Sequence, residues 1–227
     1  MNKDLYYGLT SGILSTIICN PLDVIRTHKQ LNIKYENSIR YLYRGLIPSI
    51  ISIPIFWGIY FPFYNKLKNN NIFGSGYIAS CFASTITCPA FFIRHKYQIS
   101  NSFNTLLYYN KNGIYPFYNS LIPTYLINIS MLFQMPIYEY LKNKFGNNTK
   151  NIVGITIFSK TISTIITYPM DTIRTIKRNE INLSLLKIIK LLNKNKSMYY
   201  SGILIYLARG LPSNIITFCT YEYLKNN

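Results

Sequence analysis

Carboxylates are scarce in this chain. Seven Asp and Glu stand against 24 Lys and Arg among 227 residues, and charged residues of both signs make up only 14%, where ordinary soluble domains carry roughly 25%. No paired-carboxylate site, nucleophile–His arrangement or phosphate-binding glycine loop is present, so enzyme activity has no support. The four cysteines, Cys19, Cys81, Cys88 and Cys219, show no CxxC spacing and sit in apolar runs, where Cys serves as a small packing residue. Zinc and haem spacings are missing too, and His28 and His95 lie among cations; no metal site and no cofactor is expected. A cleavable signal peptide is not apparent. Lys3 and Asp4 lead into an apolar run lasting to Asp23, with no small-residue cleavage pattern.

What the chain does have is length without charge. Leu5–Leu22 runs 18 residues, Gly45–Asn65 21, Asn69–Ile93 25 and Asn112–Tyr138 27. A membrane span needs about 20 largely apolar residues, so these four qualify. Asn151–Met170 and Ser197–Tyr221 qualify apart from one internal cation each, Lys160 and Arg209. The reading is six spans.

The formal charge of +17 would suit a nucleic-acid partner. These cations, however, lie between apolar runs and form no continuous basic face, so no nucleic acid is expected. Fifteen of the 24 fall between the members of each helix pair (26–44, 94–111 and 174–196), seven on the opposite side and two inside spans. Topology selection produces such asymmetry. An even span count places both termini on the cation-poor side.

Three segments read alike: Pro21-Leu-Asp23-Val-Ile-Arg26, Pro89-Ala-Phe91-Phe-Ile-Arg94 and Pro169-Met-Asp171-Thr-Ile-Arg174. Nine residues after each proline come Gln30, Gln98 and Arg178. Gly8 and Gly12 precede Pro21 at the offsets at which Gly76 and Ser80 precede Pro89, small-xxx-small spacing that lets helices approach closely in lipid. The intervening helices repeat as well. Tyr43-Arg44-Gly45-Leu-Ile-Pro48 corresponds to Tyr118-Asn119-Ser120-Leu-Ile-Pro123 and to Tyr200-Ser201-Gly202-Ile-Leu-Ile205. Their far ends carry Tyr64-Asn65-Lys-Leu-Lys68, Tyr138-Glu139-Tyr-Leu-Lys142 and Tyr221-Glu222-Tyr-Leu-Lys225. Internal repetition at fixed offsets means one structural unit used several times, here as repeats 1–70, 71–146 and 147–227.

This alternation of Pro-x-acid-x-x-base with aromatic-acid-x-x-base resembles the mitochondrial carrier family. The resemblance implies an all-α membrane protein of six tilted transmembrane helices, in three pseudo-symmetric two-helix repeats around a central cavity. It also implies a place in the mitochondrial inner membrane and short surface helices on the matrix side, expected here around Asn37–Leu42, Asn101–Tyr109 and Leu183–Leu192. The last mixes Leu and Ile with Lys187 and Lys190, as an interfacial amphipathic helix does. Successive signature prolines are only 68 and 80 residues apart, which marks a shortened member.

Carried over by position, Pro21, Pro89 and Pro169 kink the odd helices. The matrix gate pairs Asp23 with Arg94 and Asp171 with Arg26, and Gln30 and Gln98 brace it. Phe91 replaces the third acid, so Arg174 is expected to lack a partner. At the outer gate Glu139 pairs with Lys225 and Glu222 with Lys68, while Asn65 replaces the third acid and leaves Lys142 unpaired. Each gate is then one ion pair short, and both closed states are shallow.

Arg209 has twelve uncharged residues on each side, about 18 Å of helix either way. A lipid-facing Arg there costs about 2.5–3.5 kcal/mol or more, so it should face a polar cavity free of nearby acid. Its place matches a substrate contact in the resembled family, with Ser52, Ile127 and Asn128 as counterparts on the other even helices. Lys160, in the place of Gly12 and Ser80, is expected to snorkel outward, with a place in the cavity as the alternative. The expected partners are a small anionic substrate, a nucleotide or deoxynucleotide first and a small carboxylate or inorganic phosphate second, and membrane lipid, cardiolipin included. A non-transporting membrane scaffold is the alternative outside transport. The chain is expected to act as a monomer. The Arg-Arg-Arg-Met-Met-Met stretch of the ADP/ATP exchangers is missing, which sets a standard adenylate exchanger aside.

Overall fold

Three long helices continue past their signature prolines: α1 (Lys3–Leu31), α4 (Ile72–Ile99) and α8 (Thr149–Asn179) contain Pro21, Pro89 and Pro169. The computed structural model describes residues 3–67, 72–100, 104–132, 140–141, 144 and 149–210, and within these it is helical with no strand. Between the long helices lie α2 (Ile39–Leu42), α3 (Leu46–Leu67), α5 (Thr105–Asn112), α6 (Tyr115–Tyr118) and α7 (Leu121–Asn128), and after the third come α9 (Leu185–Lys194) and a 3-10 turn (Lys196–Tyr200). A last helical stretch, α10, covers 203–210.

The distribution of side chains is inverted relative to a protein in water. On α4, Ile78, Phe82 and Ile86 stand 52%, 45% and 50% exposed, while Ser80, Ser84 and Thr87 on the other face are buried. The same holds on α1, where Leu14, Ile17 and Ile18 point out and Ser15, Thr16 and Asn20 point in. On α8, Phe158, Ile165 and Ile166 point out and Ser159, Ser163 and Thr167 point in. Large contiguous apolar surface is unfavourable against water and suits lipid. The inward hydroxyls are satisfied by their own helices: Thr16, Thr87 and Thr167 donate to the carbonyls of Gly12, Ala83 and Ser163 at 2.7–2.9 Å, as polar groups in an apolar medium must be.

Among the described residues, two stretches, Ile39–Leu67 and Gly74–Ile99, are long and apolar enough to cross a membrane, with mean hydropathies of 1.7 and 1.4. α1 and α8 are 29 and 31 residues long but carry inward polar groups and cationic ends, which dilute their apolar signal.

Through the residue just before its proline, each long helix is tied to the segment that leads into the next even helix. Asn20 Nδ2 donates to the Leu42 carbonyl at 2.9 Å, Cys88 Sγ to that of Phe117 at 3.3 Å, and Tyr168 Oη to that of Ser201 at 2.8 Å. The start of each even helix also touches the long helix of the next repeat, in a closed cycle. Gly45 adopts φ +72°, and a Cβ there would lie 2.7 Å from Gln98 Cγ and 3.1 Å from the Arg94 carbonyl. Gly202, at φ +80°, would meet the Arg26 carbonyl at 3.3 Å. The middle copy, Ser120, instead accepts from Arg178 Nε at 3.0 Å. Only glycine tolerates that backbone and that proximity together.

α3 packs on α4 through Tyr60 against Ala79 and Ala83. A Cβ on Gly76 would meet Tyr60 Oη at 3.5 Å, whereas one on Gly12 would meet nothing within 4 Å. Gly76 therefore approaches α3 closely, whereas Gly12 approaches no described neighbour.

The surface helices form at the three expected places, each with a side-chain cap. Ser38, Asn104 and Ser184 accept from the backbone N–H of Tyr41, Leu107 and Lys187. α9 buries Ile188 and Leu192 against Ile173 and leaves Leu186 72% exposed. It therefore has apolar surface both inward and outward.

Candidate functional site

One turn beyond the prolines, the long helices bring their charged residues together. Asp23 and Asp171 are only 5% and 6% exposed. Asp23 takes Arg94 Nη2 on Oδ2 at 2.8 Å. Its other oxygen, Oδ1, lies 3.0 Å from Arg209 Nε. Asp171 takes Arg26 on Oδ2 and Arg174, three residues along its own helix, on Oδ1. Four guanidinium cations on two carboxylates leave an excess of two positive charges. The Nε groups of all four arginines are buried and meet no well-aligned hydrogen-bond acceptor among the described residues. Buried donors of this kind are costly unless an acceptor reaches them. An anion would supply one.

A layer of polar and aromatic side chains surrounds the cluster. Gln30 Nε2 donates to Asp171 Oδ2 at 2.8 Å and to Tyr168 Oη at 3.2 Å, and Gln30 Oε1 accepts from Thr175 at 2.8 Å. Gln98 accepts from Thr27 at 3.2 Å, and its Nε2 has no partner among the described residues. Gln30 thus touches an ion pair directly, whereas Gln98 reaches the Asp23 helix through Thr27. The Arg26 guanidinium sits over the rings of Tyr206 and Tyr168, 4.2 and 5.7 Å from their centroids, a favourable cation–π placement.

Two expectations are corrected here. Arg174 does not lack a partner, because its side chain folds back onto Asp171 within α8. Arg209 does not stand in an acid-free space, since it reaches Asp23. Long helical side chains lean towards the N-terminal end of their own helix. In α10 that direction leads from residue 209 back towards Gly202, which lies against Arg26. Asp23 is one turn from Arg26 on α1. This end of the molecule consequently holds four ion pairs among the described residues, not two.

The counterparts proposed for Arg209 do not converge with it in the contacts seen. Ser52 is buried and donates to the Pro48 carbonyl of its own helix. Asn128 donates to Ser84 Oγ at 3.0 Å, across to α4, and Ile127 is half-buried. Lys160 is exposed and borders a small cavity of about 30 Å³ with Tyr206 and Gly210. Lys68, Glu139, Lys142, Glu222 and Lys225 of the expected outer gate lie outside the described residues. Asn65, in place of the third outer acid, is exposed.

Several contributors escaped sequence reasoning. Tyr206 lies three residues before Arg209, on the same helix face, and that spacing was a usable signal. Asn20, Cys88 and Tyr168 share only their place before a proline, because three unlike side chains make the same tie.

The family model described as "Mitochondrial carrier protein" matches residues 1–72 and 152–227, leaving the middle of the chain unmatched. The mitochondrial nicotinamide adenine dinucleotide transporter 1 of Saccharomyces cerevisiae is 27% identical, over 96% of this chain and 75% of its own length. The mitochondrial FAD carrier of the same yeast is 23% identical over 100% of this chain and 97% of its length. A mitochondrial carrier-like protein of Acanthamoeba polyphaga mimivirus is 28% identical over 97% and 96%. With its family match spanning well over half of its residues, this chain belongs to the mitochondrial carrier protein family.

Proposed function

We propose that this carrier moves an anionic, phosphate-bearing metabolite of the nucleotide or dinucleotide class across the mitochondrial inner membrane by alternating access. The observation that carries the reading is the two-charge excess around Asp23 and Asp171. A buried cationic cluster concentrates an anion, and arginine forks match phosphate oxygens two at a time. Relatives named for nicotinamide adenine dinucleotide and FAD make a ring-bearing phosphate ester the first choice, ahead of a small carboxylate or inorganic phosphate.

In this reading α1, α3, α4, α8 and the apolar sequence runs 112–138 and 197–221 form six tilted spans around the cavity, in three repeats. Both termini face the intermembrane space, and 26–44, 94–111 and 174–196 lie in the matrix. The paired acids and arginines form the matrix closure, and Arg209 is the principal contact for substrate.

The test is uptake by the reconstituted protein in liposomes, with labelled NAD, FAD, adenine and deoxyadenine nucleotides, malate and phosphate offered separately. Uptake of one or more ring-bearing phosphates, lost in Arg209→Ala, is the expected result. Uptake confined to malate or phosphate would make the small-anion reading correct. No uptake from the whole panel would leave a non-transporting membrane scaffold.

A further inference from the structure

Asp23 binds two cations from two different helices. Arg94 joins α1 to α4, and Arg209 joins α1 to α10. The bridge missing from this end is the one from position 91 on α4 to Arg174 on α8, because Phe91 has no carboxylate. Its ring lies 6.1 Å from that of Phe56. Arg174 compensates locally by pairing three residues back on its own helix. A pair within one helix fastens no two elements together. The pairs that do so are Arg26–Asp171, Arg94–Asp23 and Arg209–Asp23.

We propose that Arg209 is a closing residue as well as a substrate contact. Through Asp23 it supplies the third inter-helix pair of this end, in place of the one that Phe91 removes. An anion that draws the Arg209 guanidinium off Asp23 therefore weakens the closure at the moment of binding. This rests on the reading of the chain as an alternating-access carrier. The geometry adds the physical link. Arg209 meets Asp23 through Nε, and a phosphate held bidentately by Nε and one Nη takes that atom, so Arg209 gripping substrate in this way is Arg209 withdrawn from α1. A shallow closure is what such a link needs, because each partly buried pair is worth little net of desolvation.

The test measures closure without any solute. Thr27, 8% exposed and one turn beyond Asp23, becomes the reporter as Thr27→Cys in a background whose four native cysteines are serine. Labelling by a membrane-impermeant maleimide added on the proposed matrix face reports opening. Arg209→Ala should label about fivefold faster than the parent, the effect of losing one weak pair. Arg209→Lys should stay near the parent rate, since the ammonium still pairs with Asp23. In an Asp23→Asn background, Arg209→Ala should add nothing, the non-additivity of residues that act through one contact. Adding Phe91→Asp to Arg209→Ala should return the rate towards the parent by giving Arg174 a partner on α4. If Arg209→Ala does not fold, Arg209→Gln, uncharged and polar, takes its place.

Equal labelling of parent and Arg209→Ala would overturn the proposal. So would an Arg209→Ala effect of the same size with and without Asp23. Because no transported solute is needed, the expected labelling pattern in a protein that moves nothing would sink the transport reading alone. Uptake together with flat labelling would sink the closure proposal alone.

Discussion

The second repeat differs from the first and third at two points, and both differences fall on contacts between neighbouring helices. Where α1 and α8 offer Asp23 and Asp171, α4 offers Phe91. Where α3 and α10 begin at Gly45 and Gly202, with positive φ, α7 begins after Ser120 at φ −101°. The first difference removes an acid and sends Arg174 and Arg209 to carboxylates that already hold another arginine. The second turns a backbone-to-backbone approach into a hydrogen bond from Arg178 to the Ser120 hydroxyl. A threefold plan can thus lose a residue type at one vertex and keep its contacts, provided long cationic side chains can reach the vertices that remain. The family match likewise covers the first and third repeats and not the second.

The contrast is broken most severely by removing an acid that serves two cations. Asp171→Asn removes the negative charge that Arg26 and Arg174 share, turns one of the two acceptor oxygens used by them and by Gln30 into a donor, and leaves charge buried without compensation. The expected loss is about 3–5 kcal/mol, read as a marked fall in the thermal unfolding midpoint of the lipid-embedded protein and as abolished uptake. Asp23→Asn should behave alike. A mild effect of either would mean that the arginines find other partners.

A smaller effect separates the glycine vertices from the serine one. Gly45→Ala combines positive φ with a 2.7 Å contact on Gln98 and should cost about 1–3 kcal/mol. Gly202→Ala, whose nearest contacts are at 3.3 Å, should cost less. Ser120→Ala strands Arg178 and should cost about 1–3 kcal/mol, whereas Ser120→Thr should be tolerated. Unfolding midpoints of the four variants rank these costs. Should Gly45→Ala match the parent, the close approach at the first vertex is not a constraint.

Restoring the missing acid should have a gentler consequence of the opposite sign. Phe91→Asp gives Arg174 a partner on α4 and stabilises the closed end by about 1 kcal/mol. The unfolding midpoint should rise slightly, turnover should fall, and the outward-open population should grow. Asn65→Glu, at an exposed site, should act least and in the reverse sense, favouring outer closure. If probes specific to one face report the same shift for both substitutions, these positions do not belong to opposing gates.

By itself, the sequence determined the repeats, the proline positions, the two-sided charge partition and the scarcity of acid, since each is a property of order and spacing along one strand of chain. It was sufficient for the family and for the places of the surface helices. Only the tertiary structure decided which cation each acid holds. Arginine spans several ångströms, and around a near-threefold ring each acid has more than one arginine within that reach, so position in a motif does not select among them. Arg209 meets Asp23 because Gly202, lacking a Cβ, lets α10 begin against the Arg26 carbonyl, and its side chain then leans back towards that contact. Asn20, Cys88 and Tyr168 teach the same lesson, since any donor of suitable reach can make a tie whose acceptor is a backbone carbonyl. A residue pattern cannot announce a contact that depends on reach and burial and leaves the choice of side chain free.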